Sequence, residues 1–95
     1  MATTVALVHL RLHVGQARSL KDKRRIIKSF KDRLGRNNNV SVAEVGAQDS
    51  HKTAVLAVAM VGSDAAYVQG AMQKIVNGAA MHRDWVLIDH EIEML

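Results

Sequence analysis

The 95-residue sequence predicts an α+β fold in which two helices pack on one face of a four-stranded antiparallel sheet. Three observations support this prediction: segments whose apolar residues alternate as they do in strands, two segments whose apolar residues recur with the helical period, and the order βαββαβ in which these segments occur. A chain of this length is expected to form a single domain, here residues 1–95.

The first half of the chain predicts a strand, a helix and a second strand. Residues 5–14 alternate between apolar and polar types in their second half, from Val8 to Val14, which indicates a strand with one polar face. Ser19 is a suitable N-cap, with Asp22 completing an approximate capping box, for an amphipathic helix that ends at Gly35 and the following asparagines. Residues 40–45 are predicted as a short strand. The polar face of the first strand carries His9, Arg11 and His13.

The second half predicts a strand, a helix and a last strand. Residues 53–62 are apolar almost throughout, as is typical of an interior strand covered on both sides. Ser63 is predicted to cap the second helix, which the pair Asn77 and Gly78 is expected to end early. Residues 85–95 alternate again. The faces of this last strand are predicted to carry Val86, Ile88, Ile92 and Met94 on one side and Asp89, Glu91 and Glu93 on the other.

This order of elements is that of the ferredoxin-like sandwich, in which two strand–helix–strand crossovers place both helices on the same face of the sheet. In that arrangement the first and third strands are central, and the last strand pairs with the first. The acidic face of the last strand should therefore lie beside the basic face of the first strand. Opposite charges across such a strand pair contribute roughly 0.2–1 kcal/mol each.

Composition and spacing exclude several kinds of site. The sequence has no cysteine, so disulfides, thiol nucleophiles and cysteine–zinc sites are excluded. We find no signal peptide and no apolar run of roughly 18 residues, so we expect a cytoplasmic protein without a membrane partner. His9 and His13 would lie about 13 Å apart along an extended strand, too far to share a metal ion. We expect neither a metal site nor a cofactor.

Positive charge is concentrated in and around the first predicted helix. Residues 18–36 contain nine basic and two acidic residues, whereas residues 40–95 contain three basic and seven acidic ones. Lys21, Lys23 and Arg24 lie in the first helical turn, where the helix dipole disfavours cations, and a bound anion would offset that repulsion. The predicted nucleic-acid-binding residues are Arg18, Lys21, Arg24, Arg25, Lys28 and Lys31.

The same charges are also compatible with an ordinary solvated helix face. Asp32 is expected to pair with Lys28 and Arg36 at helical spacing. Asp22 is expected to pair with Arg25. The chain has only three aromatic residues, and none lies on the two central strands, so a base-stacking platform is absent. Any nucleic-acid contact should therefore be made to the phosphate backbone, which favours structured RNA such as ribosomal RNA.

The apolar strand at residues 53–62 supports an alternative function. Whichever set of alternate residues faces the helices, the other set lies on the outer face of the sheet and is exposed. Such an apolar strip suggests a homodimer formed through the sheet face. It would equally suit a small-effector-binding module of the ACT type, and in both cases the basic helix would have no nucleic-acid role.

No catalytic residues are predicted. The loop HVGQARSLKDKRR is only faintly similar to the phosphate-binding loop of acylphosphatase, an enzyme of the same topology, and no asparagine occurs in residues 53–62 to position a water molecule. No Walker loop, HExxH motif or nucleophile elbow is present. We therefore expect a non-enzymatic protein that contacts structured RNA or the ribosome through its basic first helix.

The stretches ARSLKDKRR, SFKDRLGRNNNVSVAEV, the pair QD at Gln48 and Asp49, and the final LIDHEIEML together resemble the YlxP-like family of small bacterial proteins of unknown function, the domain-of-unknown-function 503 family. The resemblance covers nearly the whole chain, although the turn GAQDSHK departs from the bulkier turn of that family. It implies a ferredoxin-like fold. It also implies a role near the ribosome, because genes of the family often lie beside those for translation initiation and ribosome-maturation factors.

Overall fold

The computed structural model describes residues 1–95 and has the predicted βαββαβ order in a single four-stranded antiparallel sheet. The ferredoxin-like topology is therefore confirmed. The elements are β1 (Thr4–His13), α1 (Leu20–Asn37), β2 (Val40–Gly46), β3 (Thr53–Gly62), α2 (Ala65–Ala80) and β4 (Val86–Met94). Neither helix is long and apolar enough to cross a membrane.

The two central strands are β1 and β3, in the sheet order β2-β3-β1-β4, as the sequence predicts. β1 pairs with β3 over its whole length and with β4 on its other side. Arg11 lies opposite Asp89, and its Nε is 3.5 Å from Asp89 Oδ1, which confirms the predicted charge pairing between these strands. Since both side chains are more than half exposed, this ion pair contributes little to stability.

The hydrophobic core lies between the sheet and the two helices. A cluster of 18 buried apolar residues joins them. The strands supply this cluster from one face only, because successive side chains alternate across a strand. Its members include Ala6, Val8, Leu10 and Leu12 of β1, Leu56 and Val58 of β3, Ile27 and Phe30 of α1, and Val68, Met72, Ile75 and Val76 of α2. Both helices therefore cover the same face of the sheet, as predicted.

The faces predicted for β4 are wrong at the start of the strand. A bulge at Ile88 interrupts the pairing with β1 between Leu87 and Asp89. Leu87 packs against the core, whereas Val86 and Ile88 are 63% and 52% exposed. Beyond the bulge the prediction holds, since Ile92 packs against the core. One extra residue changes the phase of the alternation, and the alternation pattern itself does not reveal where that residue lies.

The second helix begins one residue later than predicted. Its N-cap is Asp64 rather than Ser63, and the Asp64 carboxylate accepts a hydrogen bond of 3.1 Å from the Ala66 backbone N–H. Aspartate and serine are about equally good N-caps, so residue type alone does not decide between two adjacent candidates.

The same helix also ends later than predicted, because it continues through Asn77 to Ala80. Ala79 is fully buried, and its carbonyl oxygen accepts a hydrogen bond of 2.9 Å from Trp85 Nε1. Packing of this last turn outweighs the helix-weakening effect of Gly78, which is about 1 kcal/mol relative to alanine.

Lys23 is the one charged residue that is fully buried. Its ammonium group lies 2.7 Å from Glu44 Oε2 and donates hydrogen bonds to the carbonyl oxygens of Ala47 at 2.9 Å and Thr53 at 3.1 Å. The two carbonyl oxygens accept two of the three ammonium protons, and the Glu44 carboxylate balances the charge. Glu44 Oε2 has no hydrogen bond of good geometry, so attraction between the two charges compensates for its burial.

The position of Lys23 along α1 explains why it is buried. It lies on the same side of the helix as Ile27 and Phe30, which are core residues. The expectation that Lys23 acts as a first-turn cation beside Lys21 and Arg24 is therefore wrong. Its charge is neutralised inside the protein and is not offered to an external anion.

The turn between β2 and β3 depends on the same lysine. Ala47 is the one non-glycine residue with positive φ, at 57°, a left-handed conformation that costs an L-residue roughly 1–2 kcal/mol. The hydrogen bond from Lys23 to the Ala47 carbonyl oxygen helps to hold this conformation. At the preceding Gly46, a Cβ would lie 3.2 Å from Val55 Cβ, so a side chain there would crowd β3.

Replacing Lys23 with alanine should strongly destabilise the fold. The change leaves Glu44 and two carbonyl groups without their partner, and breaking a buried ion pair in this way costs about 3–5 kcal/mol. Denaturant unfolding measures the loss, with the exposed Lys21→Ala as a control expected to stay within about 0.5 kcal/mol of the natural protein. Equal stability of the two variants would contradict the structural role of Lys23.

Candidate nucleic-acid interface

Ser19 and Asp22 cap the N-terminal end of α1. Ser19 Oγ accepts a hydrogen bond of 3.1 Å from the Asp22 N–H, and Asp22 Oδ2 accepts one of 3.0 Å from the Arg18 N–H. The predicted capping box is therefore present in an altered form, because Asp22 binds the residue before the N-cap. The backbone N–H groups of Leu20 and Lys21 have no protein acceptor. Two free donors thus remain at the positive end of the helix.

All six predicted nucleic-acid-binding residues are exposed. Two of them are paired within the helix: Arg25 Nη2 lies 3.4 Å from Asp22 Oδ1, and Lys28 Nζ donates a hydrogen bond of 2.7 Å to Asp32 Oδ2. The four that form no ion pair are Arg18, Lys21, Arg24 and Lys31. Most of the predicted site therefore keeps its positive charge available to another molecule.

The charge partners of Asp32 agree only in part with the prediction. The pair with Lys28 is confirmed, whereas Arg36 makes no ion pair with Asp32. The pKa of Asp32 lies below its ordinary value of 3.8, chiefly because Lys28 donates a hydrogen bond to the carboxylate. Partial removal from water opposes this shift, and the nearby charges of Lys28, Arg36 and Lys31 add to it. Arg36 thus acts on Asp32 through its charge alone.

Four residues on one side of α1 form a surface that we term the basic stripe. Its members are Lys21, Arg24, Lys28 and Lys31. Lys31 borders a shallow groove whose other wall consists of residues 40–42 of β2, so the basic stripe lies on the β2 side of the helix. Arg33 lies on the opposite side of α1, where it faces α2.

The basic stripe has the charge to hold phosphate groups but no ring on which a base could stack. Its members follow one another at intervals of three or four residues, which places neighbouring residues about 4.5–6 Å apart along the helix axis. A row of cations at this spacing suits contact with successive phosphates. Phe30 and Trp85 are buried, and Tyr67 is exposed on α2, so no aromatic ring lies within the stripe for a base to stack on.

A second basic cluster, which the sequence does not predict, lies between the helices. We term it the interhelical groove: a cleft of about 760 Å³ lined by the second half of α1, the end of α2 and the connection to β4. Arg33, Lys74 and Arg83 are its cations. These residues come from three separate segments, so no local motif in the sequence could indicate that they lie together.

Three rings pack at the base of this groove. The His82 ring stacks on Trp85 with a centroid distance of 3.8 Å and an interplanar angle of 13°, and Phe30 meets both rings edge-on. The pKa of His82 lies below its ordinary value of 6.5 because the ring is partly removed from water. Asp84 opposes this shift, and Arg33 and Arg83 add to it. The imidazole is therefore neutral at neutral pH.

The other histidines are dispersed over the molecule. His9 lies opposite Glu91 in the sheet, for example, while His51 lies between β2 and β3. No three histidine, aspartate or glutamate residues are grouped closely enough to hold a metal ion.

Together these features define a ferredoxin-like α+β protein whose first helix presents an exposed basic stripe beside a buried structural lysine. The family described as "Protein of unknown function (DUF503)" matches residues 5–92 of the chain. The chain therefore belongs to the DUF503 family, which confirms the resemblance found in its sequence.

Comparison with other proteins adds evidence for the fold. No curated protein matches the chain. Among solved structures, the de novo designed protein Foldit4 is similar with a TM-score of 0.54 at 15% sequence identity, and the match covers 98% of this chain and 96% of the designed one. At that identity the similarity concerns the fold alone.

Replacing Lys28 with glutamine should raise the pKa of Asp32 towards 3.8, because the hydrogen bond from Lys28 is the main cause of its lowering. An NMR titration of the side-chain carboxyl carbon measures this pKa. Lys31→Gln is the control, and it should produce a smaller rise because Lys31 acts only through its charge. If the pKa of Asp32 did not change in Lys28→Gln, the pair would not exist in solution and Lys28 would be a fifth free cation.

Proposed function

We propose that the protein is a non-enzymatic accessory factor of the cytoplasm that contacts structured RNA, such as the RNA of a ribosomal subunit. The contact surface is the basic stripe of α1 together with Arg18 and Arg25. Lys21 and Arg24 hold phosphates near the start of the helix, and Lys28 and Lys31 extend the contact along it. Recognition is of the RNA backbone and its shape, since the surface carries hydrogen-bond donors and no stacking ring.

The observation that carries this proposal is the set of exposed cations without a carboxylate partner at the start of α1. Asp22 and Asp32 are already engaged by Arg25 and Lys28. Lys21 and Arg24 therefore remain beside free backbone N–H groups, where the helix dipole disfavours a cation by roughly 0.3–1 kcal/mol. A phosphate bound there would meet cations and N–H donors together and remove this unfavourable interaction.

Ribosomal RNA is favoured over other polyanions by two further considerations. The lack of an exposed ring on α1 argues against single-stranded RNA, which proteins usually bind by stacking its bases. The gene neighbours that the family resemblance implies act in translation initiation and ribosome maturation. Binding of this kind depends mainly on charge, so it should weaken steeply as salt is added.

The double variant Lys21→Gln/Arg24→Gln should lose most of its binding to ribosomal subunits. Each phosphate contact contributes roughly 0.7–0.9 to the slope of log affinity against log salt, so removing two should reduce that slope by about 1.4–1.8 and weaken binding on the order of tens of fold. Co-sedimentation with purified small and large subunits at several salt concentrations measures both quantities. Both side chains are exposed and disfavoured by the helix dipole, so the melting temperature should stay the same or rise slightly.

A matched control variant distinguishes the contribution of the basic stripe to binding from the contribution of the net charge. Arg11→Gln/Lys74→Gln also removes two exposed cations, one from the outer face of the sheet and one from α2. This variant should bind subunits as the natural protein does. Equal losses in the two variants would mean that binding follows net charge, and no loss in either would contradict the proposal.

A second candidate function is the formation of a homodimer through the outer face of the sheet. The apolar residues exposed on the strands favour it. Val45, Val61, Val86 and Ile88 are each at least 50% exposed on the strands. Basic β1 and acidic β4 residues lie side by side on this face, as Arg11 does with Asp89. A second copy rotated by 180° could therefore pair unlike charges as well as apolar residues.

If the protein forms a dimer through the outer face of the sheet, Ala59→Lys should convert that dimer into a monomer. Ala59 lies between Leu7 and Ser41 near the middle of the outer face, where a lysine would place two like charges close to the two-fold axis. Light scattering over a range of protein concentrations measures the mass. A natural protein that stays monomeric at the highest concentration would exclude pairing, and a dimer unaffected by Ala59→Lys would place the interface elsewhere.

A further inference from the structure

The interhelical groove has the size and charge of a site for a small anionic molecule. Its volume of about 760 Å³ lies within the range of ligand pockets, roughly 300–1,000 Å³. Arg33, Lys74 and Arg83 line it, and Asp84 is the one carboxylate among its lining residues. None of the three cations forms an ion pair. The groove therefore carries a positive charge that the protein itself does not neutralise.

The hydrogen bonds of His82 indicate where an anion would bind. The Asp84 backbone N–H donates to His82 Nδ1 at 3.2 Å. A neutral imidazole that accepts at Nδ1 carries its proton on Nε2. Arg33 Nη2 lies 3.4 Å from this Nε2, and a guanidinium group can only donate. Two donors therefore face each other with no acceptor between them.

The other tautomer of His82 does not remove this conflict. If Nε2 accepted a hydrogen bond from Arg33, Nδ1 would carry the proton and would face the Asp84 N–H at 3.2 Å. A neutral ring has one acceptor nitrogen and cannot satisfy both contacts. The Asp84 N–H belongs to the backbone, whereas Arg33 has a long exposed side chain that can move. The tautomer with its proton on Nε2 is therefore favoured, and its N–H is an unused donor.

We propose that the interhelical groove binds a small phosphomonoester whose phosphate oxygens accept hydrogen bonds from His82 Nε2 and from the guanidinium group of Arg33. A terminal phosphate offers three oxygens, which suits convergent donors, and arginine binds phosphate in a bidentate manner. Arg83 provides a further cation at the same site. Leu34 and Met81, apolar residues of the groove lining, lie where they would contact the organic part of the ligand.

This site is independent of the proposed RNA surface. The groove lies on the α2 side of α1, whereas the basic stripe lies on the β2 side. The two surfaces share no residue, so the failure of one proposal leaves the other unaffected.

Titration of the isotope-labelled protein with three probes tests the proposal. The probes are inorganic phosphate, adenosine 5′-monophosphate as the phosphomonoester, and a dinucleoside phosphate as the phosphodiester. We expect saturable chemical-shift changes at His82 and Arg33, with a dissociation constant on the order of 1 mM for phosphate, a lower one for the monoester and the weakest binding for the diester. Absence of saturable changes at these residues would overturn the proposal. Equal affinities for the monoester and the diester would also overturn it, because the groove would then bind the phosphodiester linkage of an RNA backbone equally well.

Two single-residue variants test whether the phosphomonoester binds in the interhelical groove. Arg33→Gln should weaken binding of the monoester by roughly tenfold or more, which corresponds to about 1.4 kcal/mol. Arg11→Gln removes the same group from the outer face of the sheet and should leave the affinity unchanged. Equal affinities of Arg33→Gln and Arg11→Gln would overturn the assignment.

The ring of His82 gives a second readout that needs no substitution. The charged groups near it are Arg33 from α1, Arg83 and Asp84 from its own loop, and Lys74 across the groove on α2. A bound anion stabilises the protonated imidazole, so saturating phosphate should raise the pKa of His82. NMR titration of the ring protons with and without phosphate measures the change. An unchanged pKa would contradict a phosphate beside Nε2.

Discussion

The buried ammonium group of Lys23 fixes how α1 lies on the sheet. Its three partners come from β2, from the turn after it and from the first residue of β3. Apolar packing is not directional and tolerates small rotations of a helix, whereas a buried charge held by one carboxylate and two hydrogen bonds does not. This one contact therefore couples the rotation of α1 to the β2–β3 hairpin, and it holds a left-handed alanine in the turn.

The rotation of α1 decides the role of each of its cations. Lys23 faces inward and is neutralised by Glu44. The basic stripe faces the β2 side and is largely free of partners, while Arg33 faces α2 and meets His82. This one helix therefore closes the core, carries a row of exposed cations and forms one wall of a separate groove. These roles depend on position around the helix rather than on residue type, because Lys23 is buried while Lys21 is exposed, and Arg24 and Arg33 lie on different sides of the helix.

Most of the fold could be predicted from the sequence because its signals are local. The alternation in β1 and the apolar run of β3 indicated their strands, and the element order indicated the sheet. The bulge at Ile88 could not be predicted, because the pattern of apolar and polar residues does not reveal where an extra residue lies. Within the site, the five exposed cations that lie on α1 were predictable from the helical period, and Arg18 from its place just before the helix. Lys23 shares the periodicity of the core, but a buried lysine requires partners that only the folded hairpin supplies. The contact between Arg33 and His82 spans 49 positions and has no local signal.

The central claim is that the start of α1 presents phosphate-binding groups for which the protein has no internal partner. The most direct measurement is an NMR titration of the isotope-labelled protein with a structured ribosomal RNA fragment in low salt. We expect chemical-shift changes at the Leu20 and Lys21 amides and at the side chains of Lys21, Arg24 and Lys31, and these changes should disappear as salt is added. Absence of changes along α1, or changes confined to the outer face of the sheet, would contradict it.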